Sequence, residues 1–435
     1  MSQTKTLIKN VSSLGIIQIV NYIFPLITVP YVSRIIGPDG YGIINYASAF
    51  IGYFVLIIAF GFDLTATRRI SQNFDNKEYV NKVVSEVLTS RILLFVLSTI
   101  IFLIAFKYFQ PIQKDIRVAT IIYLGTIAAV ISPQFIFQGF QELVIFAKMN
   151  FIRGILNTIF VFVLIKVPSD YFWLPTLTTF FLVSINIFLF VYGIKKFGIK
   201  LKLIPLLDTI TFLRNEKMIF FSTVIISLYT STNTVVLGFF AETKEVGFYT
   251  TSQTFITIVS SIVTIPISMA LYPYIGKAFS VSKENGINLI KKIFPIVFYI
   301  TLFASLSVLI LAPFLISLVY GHQFDASVPA LQIISFLPLI IGISNVFGVQ
   351  LMLNLGLDKM FFKSTFIASI IGVVLNIYMC KYYGYIGTAW NCVIVECVVT
   401  LLMFIALKRA DINVIELRNF TPNQLLLTFK NRNKI

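Results

Sequence analysis

The sequence predicts an all-α, polytopic membrane protein of about 12 transmembrane helices in two six-helix bundles, on three observations. Of 435 residues, 57% are hydrophobic and only 12% charged, about half the charge of an ordinary soluble domain. The apolar residues gather into runs long enough to cross a hydrocarbon core of about 30 Å, and mean hydropathy is +0.90. Lys and Arg concentrate in alternate connections between those runs, the pattern that sets membrane orientation.

In chain order the runs fall at about 11–33, 41–62, 92–109, 118–139, 148–166, 172–192, 218–240, 247–275, 293–319, 327–355, 361–380 and 385–407. The first, Val11 to Ser33, carries no charge and is longer than the apolar part of a signal peptide, so it reads as a retained span. Pro25 and Pro30 each remove a backbone donor and are expected to interrupt its helix. The kink serves either packing alone or a bent helix that lines a route through the membrane. Arg34 and the turn-rich Gly37-Pro38-Asp39-Gly40 follow and send the chain back.

With the N-terminus inside, the inner segments hold 27 of the 34 Lys and Arg and the outer ones 7. Both termini are therefore expected in the cytoplasm. The net charge of +16 is explained by this topology and by contact with anionic lipid, and nucleic-acid binding is set aside. The outer loops are too short for a folded domain. Two inner loops carry helical stripes: Val80, Val83, Val84, Val87 and Leu88, then Leu203, Leu206, Leu207, Ile210 and Leu213. Such helices lie on the inner leaflet or extend the next span.

A faint repeat aligns Gly42, Ser48 and Phe50 with Gly247, Gln253 and Phe255 at an offset of 205. Lys148, Met149 and Phe151 align with Lys359, Met360 and Phe362 at an offset of 211. Two parallel halves of six spans follow, with lobes at 1–200 and 201–410, a basic cytoplasmic tail at 411–435, and a substrate site expected between the halves.

No GxxxxGK[ST] occurs, and His322 is the single histidine, which excludes His-pair zinc motifs; its place in or near an outer loop argues against a His-based triad. Cys380, Cys392 and Cys397 lie in apolar runs and read as small buried residues. No close carboxylate pair falls inside a span. No cofactor or metal is expected, and the chain reads as a transporter rather than an enzyme.

Charges at membrane depth are the leading functional candidates, because each costs about 2.5–3.5 kcal/mol at mid-span. Glu396 lies midway along the twelfth span, to carry a proton, pair with a cation or bond a neighbouring helix. Arg153 and Lys363 sit at nearly repeat-equivalent places in the fifth and eleventh spans. They suit an anionic head group or snorkel to the interface. Arg34, Asp63, Arg68, Arg69 and Arg91 sit at span ends, where snorkelling is cheap. The seventh span crowds nine polar residues between Ser222 and Thr234, and Gln134, Gln138, Asn150 and Asn157 add amides near the fourth and fifth. These groups suit sugar hydroxyls in a wet cavity, or they bond helix to helix.

The opening stretch with Asn21, Pro25, Pro30, Arg34, Gly37 and Gly40-Tyr41-Gly42 resembles a known family, the polysaccharide-transport flippases (Wzx or RfbX type) of the multidrug/oligosaccharidyl-lipid/polysaccharide exporter superfamily. Gly61-Phe62, Thr65 to Arg68, Phe137-Gln138-Gly139 with Glu142, and Pro266 and Pro273 carry the resemblance further. It implies a flippase that moves undecaprenyl-pyrophosphate-linked oligosaccharide repeat units from the cytoplasmic to the outer leaflet for O-antigen, capsule or exopolysaccharide assembly. It also implies alternating access around a cationic, hydrophilic cavity in the bacterial inner membrane, with membrane lipids and the polysaccharide polymerase and chain-length machinery as partners. The cavity candidates are Asn21, Arg34, Arg68, Gln138, Arg153, Asn233, Lys363 and Glu396. The alternatives are a cation-coupled drug exporter of the same superfamily, with Glu396 as its coupling carboxylate, and a membrane glycan polymerase or ligase.

Overall fold

Two glycines, not the prolines, divide the longest helices of this chain. The computed structural model describes residues 3–230 and 232–421. Side chains are described from Phe24 onward, apart from scattered positions that include Ser222, Tyr229, Thr230, Pro266 and Pro273. Helix α1 (Gln3–Ala59) runs through Pro25 and Pro30 and leaves helical geometry only at Gly37, with φ 69° and ψ 178°. The expected interruption at the prolines is corrected. Proline fixes φ near a helical value and loses one hydrogen bond. Gly37 alone reaches positive φ without a Cβ penalty.

The chain continues through α2 (Phe62–Gln72), α3 (Lys77–Tyr108), α4 (Gln110–Gln113), α5 (Ile116–Leu124), α6 (Ile127–Val130), α7 (Gln134–Gly139), α8 (Leu143–Leu164) and, after a 3₁₀ turn at Pro168–Phe172, α9 (Trp173–Phe197). Then come α10 (Leu206–Thr230), α11 (Thr232–Phe240), α12 (Thr243–Val281), α13 (Lys283–Val319), α14 (Ser327–Ile334), α15 (Leu337–Asn345), a π-helical turn at Val346–Met352, and α16 (Asp358–Arg409). No strand occurs among the described residues. Helix α16 changes direction at Gly384, where φ is 56°.

Among the described residues, eight helical stretches are long and apolar enough to cross a membrane. Two of them, Phe24–Gln72 and Asp358–Arg409, each hold two of the expected spans, on either side of Gly37 and Gly384. Helices α10 with α11, and α12, supply the remaining two of the twelve.

The fourth and tenth spans are both broken. Helix α5 stops before Gly125-Thr126 and α14 before Ser335-Phe336, 210 residues later. The halves thus share an irregularity that no residue-by-residue match in the sequence displays.

The chain forms two compact units. The first holds Met1–Ser227, Glu242–Gly247 and Val319–Gln323, and the second Leu228–Ala241, Phe248–Leu318 and Phe324–Ile435. In the first unit the Val80, Val83, Val84 and Val87 stripe is buried against Phe62, Ala66 and Ile70 of α2 and Phe135 and Ile136 of α7. Asn76 caps this helix by accepting the Tyr79 N–H, and α3 runs on into the third span. The second stripe does the opposite. Leu203, Leu206, Leu207 and Ile210 are 81%, 59%, 79% and 49% exposed, as suits a face covered by lipid. In the second unit the core gathers around Ile290, Leu351, Met352, Ala368 and Leu407.

Candidate functional site

Inside the first unit, α1, α8 and α9 enclose a cavity of about 510 Å³. Its polar lining comes from Thr28 and Ser48 of α1, Arg153 and Asn157 of α8, and Thr178 and Thr179 of α9. Arg153 and Asn157 are one helical turn apart, so both side chains fall on the same face of α8. Gly154 between them lies so close to α1 that a Cβ would collide with the Phe24 ring. Pro25 belongs to the wall. Thr28 Oγ1 also donates to the Phe24 carbonyl at 3.0 Å.

The electrostatics of this cavity are one-sided. Arg153 is half-buried, and no carboxylate lines the wall with it. Among the described residues no ion pair includes it. Asn157 Oδ1 is buried with no hydrogen-bond partner. A half-buried guanidinium without a protein counter-charge attracts an anion, and its planar fork matches phosphate oxygens. The hydroxyls around it suit neutral polar groups. Thr28, Thr178 and Thr179 were not singled out from the sequence. Hydroxyls at helical spacing in an apolar span were the available signal.

The other candidates have different surroundings. Asn21 has its side chain outside the described residues. Arg34 is exposed near the kink of α1, where Gln323 Nε2 donates to its carbonyl at 2.9 Å. Arg68 is exposed on α2. Gln138 accepts from Thr67 Oγ1 at 3.2 Å. None of these three lines the cavity with Arg153.

In the second unit, Asn233 is buried, accepts from Asn391 Nδ2 at 3.0 Å and donates to Cys392 Sγ at 3.1 Å. Glu396 accepts from Ser344 Oγ at 2.9 Å. Lys363 is exposed on α16. Of the polar run in the seventh span, Ser222, Tyr229, Thr230 and Ser231 lie outside the described side chains.

Two charges expected to snorkel do not. Arg91 is 1% exposed. It donates to Asp63 Oδ1 at 2.9 Å and to the Ser132 carbonyl at 2.8 Å, and lies over the Phe135 ring. Ser132 sits in the break between α6 and α7, where a helical partner for its carbonyl is missing. Arg69 pairs with Glu86 at 2.7 Å. Burial at a helix junction, which span position does not reveal, decides both cases.

Near the start of α5, Asp115 caps the helix by accepting from Arg117 N and Val118 N, and it also accepts from the Tyr171 hydroxyl. Burial pushes the Asp115 carboxyl upward. The bonds from Tyr171, Val118 and Arg117, with the Arg117 charge, outweigh that and hold it below the usual carboxylate range.

Fold and cavity together define a polytopic helical membrane protein with a cationic chamber inside a helix bundle. The chain belongs to the family described as polysaccharide biosynthesis protein, whose profile matches residues 7–279. It is 29% identical over 408 residues to an Escherichia coli (strain K12) protein named "Putative O-antigen transporter", covering 92% of this chain and 96% of that one. A Shigella dysenteriae protein of the same name is 24% identical over 412 residues, covering 92% and 100%. In fold, the chain is similar to the lipid II flippase MurJ in its inward closed conformation, with a TM-score of 0.73 at 14% identity over 96% of this chain and 92% of that one. An inward-facing multidrug resistance MATE transporter of the MOP superfamily also gives 0.73 at 14% identity, covering 92% and 98%.

Proposed function

We propose that this protein is a flippase that moves undecaprenyl-pyrophosphate-linked oligosaccharide repeat units from the cytoplasmic to the outer leaflet by alternating access, for O-antigen, capsule or exopolysaccharide assembly. The Arg153 cavity carries the reading. A pyrophosphate and its sugars cannot cross hydrocarbon unaided, whereas a polyprenyl tail stays in lipid. A guanidinium with no counter-ion among the described residues, amid hydroxyls and an amide oxygen that none of them bonds, meets both polar parts of that cargo. The family and the names of its relatives support the same class. The reading includes lobes at 1–200 and 201–410 with a basic tail at 411–435, both termini in the cytoplasm, and a polymerase and chain-length machinery that receive the product. Arg34, Arg68, Gln138, Asn233, Lys363 and Glu396, with Asn21, are further contacts in this proposal.

Depletion in the native host followed by lipid extraction tests it. Undecaprenyl-pyrophosphate oligosaccharide should accumulate on the inner leaflet. Unchanged glycan lipids with altered resistance to cationic drugs would replace the flippase with the exporter reading, in which Glu396 is the coupling acid.

A further inference from the structure

The second unit contains a cavity of a different kind. It measures about 420 Å³ and is lined almost wholly by carbon. Phe294 and Phe298 of α13, Ile343 of α15, Phe347 of the π-helical turn, and Leu401 and Phe404 of α16 form its walls. Leu401 is 57% exposed, so the cavity is a groove open to the side rather than a sealed void.

One end is built by chain that follows the last span. The segment Ile412–Phe420 folds back, and Phe420 packs on Phe294, Phe298 and Tyr299 at ring distances of 5.7, 5.6 and 6.2 Å. Tyr299 donates to the Phe420 carbonyl at 3.0 Å, and Asn419 Nδ2 to the Lys291 carbonyl at 3.1 Å. Arg418 precedes Asn419 in the chain, and so its backbone is held next to the Lys291–Lys292 turn of α13. Glu416 lies 3.8 Å from Lys291. Lys292 and Arg418 are exposed. The two segments that Asn419 joins at this end of the slot therefore carry three cationic residues, Lys291, Lys292 and Arg418, against the carboxylate of Glu416.

From this juxtaposition we infer that the groove binds an anionic phospholipid of the surrounding bilayer, with one acyl chain between α13 and α16 and its phosphate on Lys292 and Arg418. The chain crosses a membrane, so an apolar slot open at the side of a span meets acyl chains rather than water. Cations beside it select the head group, each favouring an anionic lipid by roughly fivefold. The site is independent of what the protein transports. Its aromatic strap makes lipid composition a determinant of how Ile412–Phe420 is held.

The test uses the full chain with Leu401→Trp, reconstituted in phosphatidylcholine vesicles that contain a minor fraction of brominated phosphatidylglycerol or brominated phosphatidylcholine. Wild-type protein is measured in parallel to subtract the quenching of Trp173 and Trp390. At equal mole fraction the brominated phosphatidylglycerol should quench the new Trp roughly fivefold more effectively or better. The Lys292→Gln/Arg418→Gln pair should remove that preference while the protein keeps its thermal unfolding temperature. Equal quenching by both lipids, or a preference that survives the double substitution, overturns the site. Displacement of phosphatidylglycerol by equimolar polyprenyl phosphate assigns the groove to another lipid and overturns the choice of occupant. Quenching that appears only after deletion of residues 422–435 assigns it to the chain itself, with the same consequence.

Discussion

Gly42 and Gly247 occupy reciprocal places in the first unit: Gly42 lies against the carbonyl of Thr243, and Gly247 against the carbonyl of Pro38. Thr243 stands 205 residues after Pro38, and Gly247 stands 205 after Gly42. The two contacts therefore exchange under the offset of the sequence repeat, as the two sides of a self-complementary contact do. Thr243 Oγ1 also donates to Asp39 Oδ1 at 2.7 Å.

Backbone meets backbone at both glycines, so no side-chain rotation relieves an added methyl. Gly42→Ala and Gly247→Ala should each destabilise by about 1–3 kcal/mol, the range for overpacking. Gly52 has nothing within 4 Å of its would-be Cβ. Gly52→Ala should leave thermal unfolding in detergent unchanged or raise it slightly. Equal effects at the three positions would refute the close crossing.

Arg153→Ala should lower surface glycan strongly without loss of protein from the membrane. Arg153→Lys should recover part of it, since a point charge attracts phosphate without the bidentate fork. Lys363→Ala should have the smaller effect, because Lys363 is exposed. Glycan display by quantitative gel against membrane protein level is the measurement. Full display in the Arg153→Ala/Lys363→Ala double variant would remove both from the site.

The Arg91–Asp63 pair is asymmetric: the arginine side chain is 1% exposed and the aspartate 36%. Asp63→Asn strands a buried cation and should cost about 3–5 kcal/mol. Arg91→Met leaves a carboxylate that water reaches, so its cost should be smaller. Denaturation midpoints of the two variants give the order, and the reverse order would contradict the burial.

Asp115 has its carboxyl held below the usual range by Tyr171, Val118 and Arg117 against its own burial. A depressed carboxyl stabilises the fold above its unfolded value of about 3.9 and loses that stabilisation as pH falls through the lower folded value. The stability gap between wild type and Asp115→Asn should thus stay constant from pH 7 to 5 and shrink only below about pH 4. A gap that closes between pH 7 and 5 would contradict the assigned direction.

Glu396 is held by Ser344 in the second unit. If it carries a proton in transport, Glu396→Gln should flatten the pH dependence of the rate in reconstituted vesicles. An unchanged profile ends that role and leaves the helix-to-helix bond.

Position in the chain was a good guide to elements and a poor one to faces. Val80–Leu88 and Leu203–Leu213 carry the same stripe, yet Val80, Val83, Val84 and Val87 are buried on α2 and α7, whereas Leu203, Leu206, Leu207 and Ile210 are exposed and only Leu213 of that stripe packs on the same core. In water an apolar stripe must find protein, whereas beside a bilayer lipid satisfies it equally. The repeat was legible at Gly42 and Gly247 because glycine has no substitute at a backbone crossing. The shared breaks after α5 and α14 were not, since Gly125-Thr126 and Ser335-Phe336 have little in common but position.

Sequence by itself determined the number of spans and the family to which they belong. Bilayer thickness and the need to satisfy backbone groups within each helix act locally, on runs of consecutive residues. Only the tertiary structure decided which cations are spoken for. Arg91 meets partners 28 and 41 residues away, while Arg153 faces a chamber walled by α1, α8 and α9 in which no described acid takes part. Whether a charge is paired depends on neighbours brought together by packing, and their placement is a property of the folded chain alone.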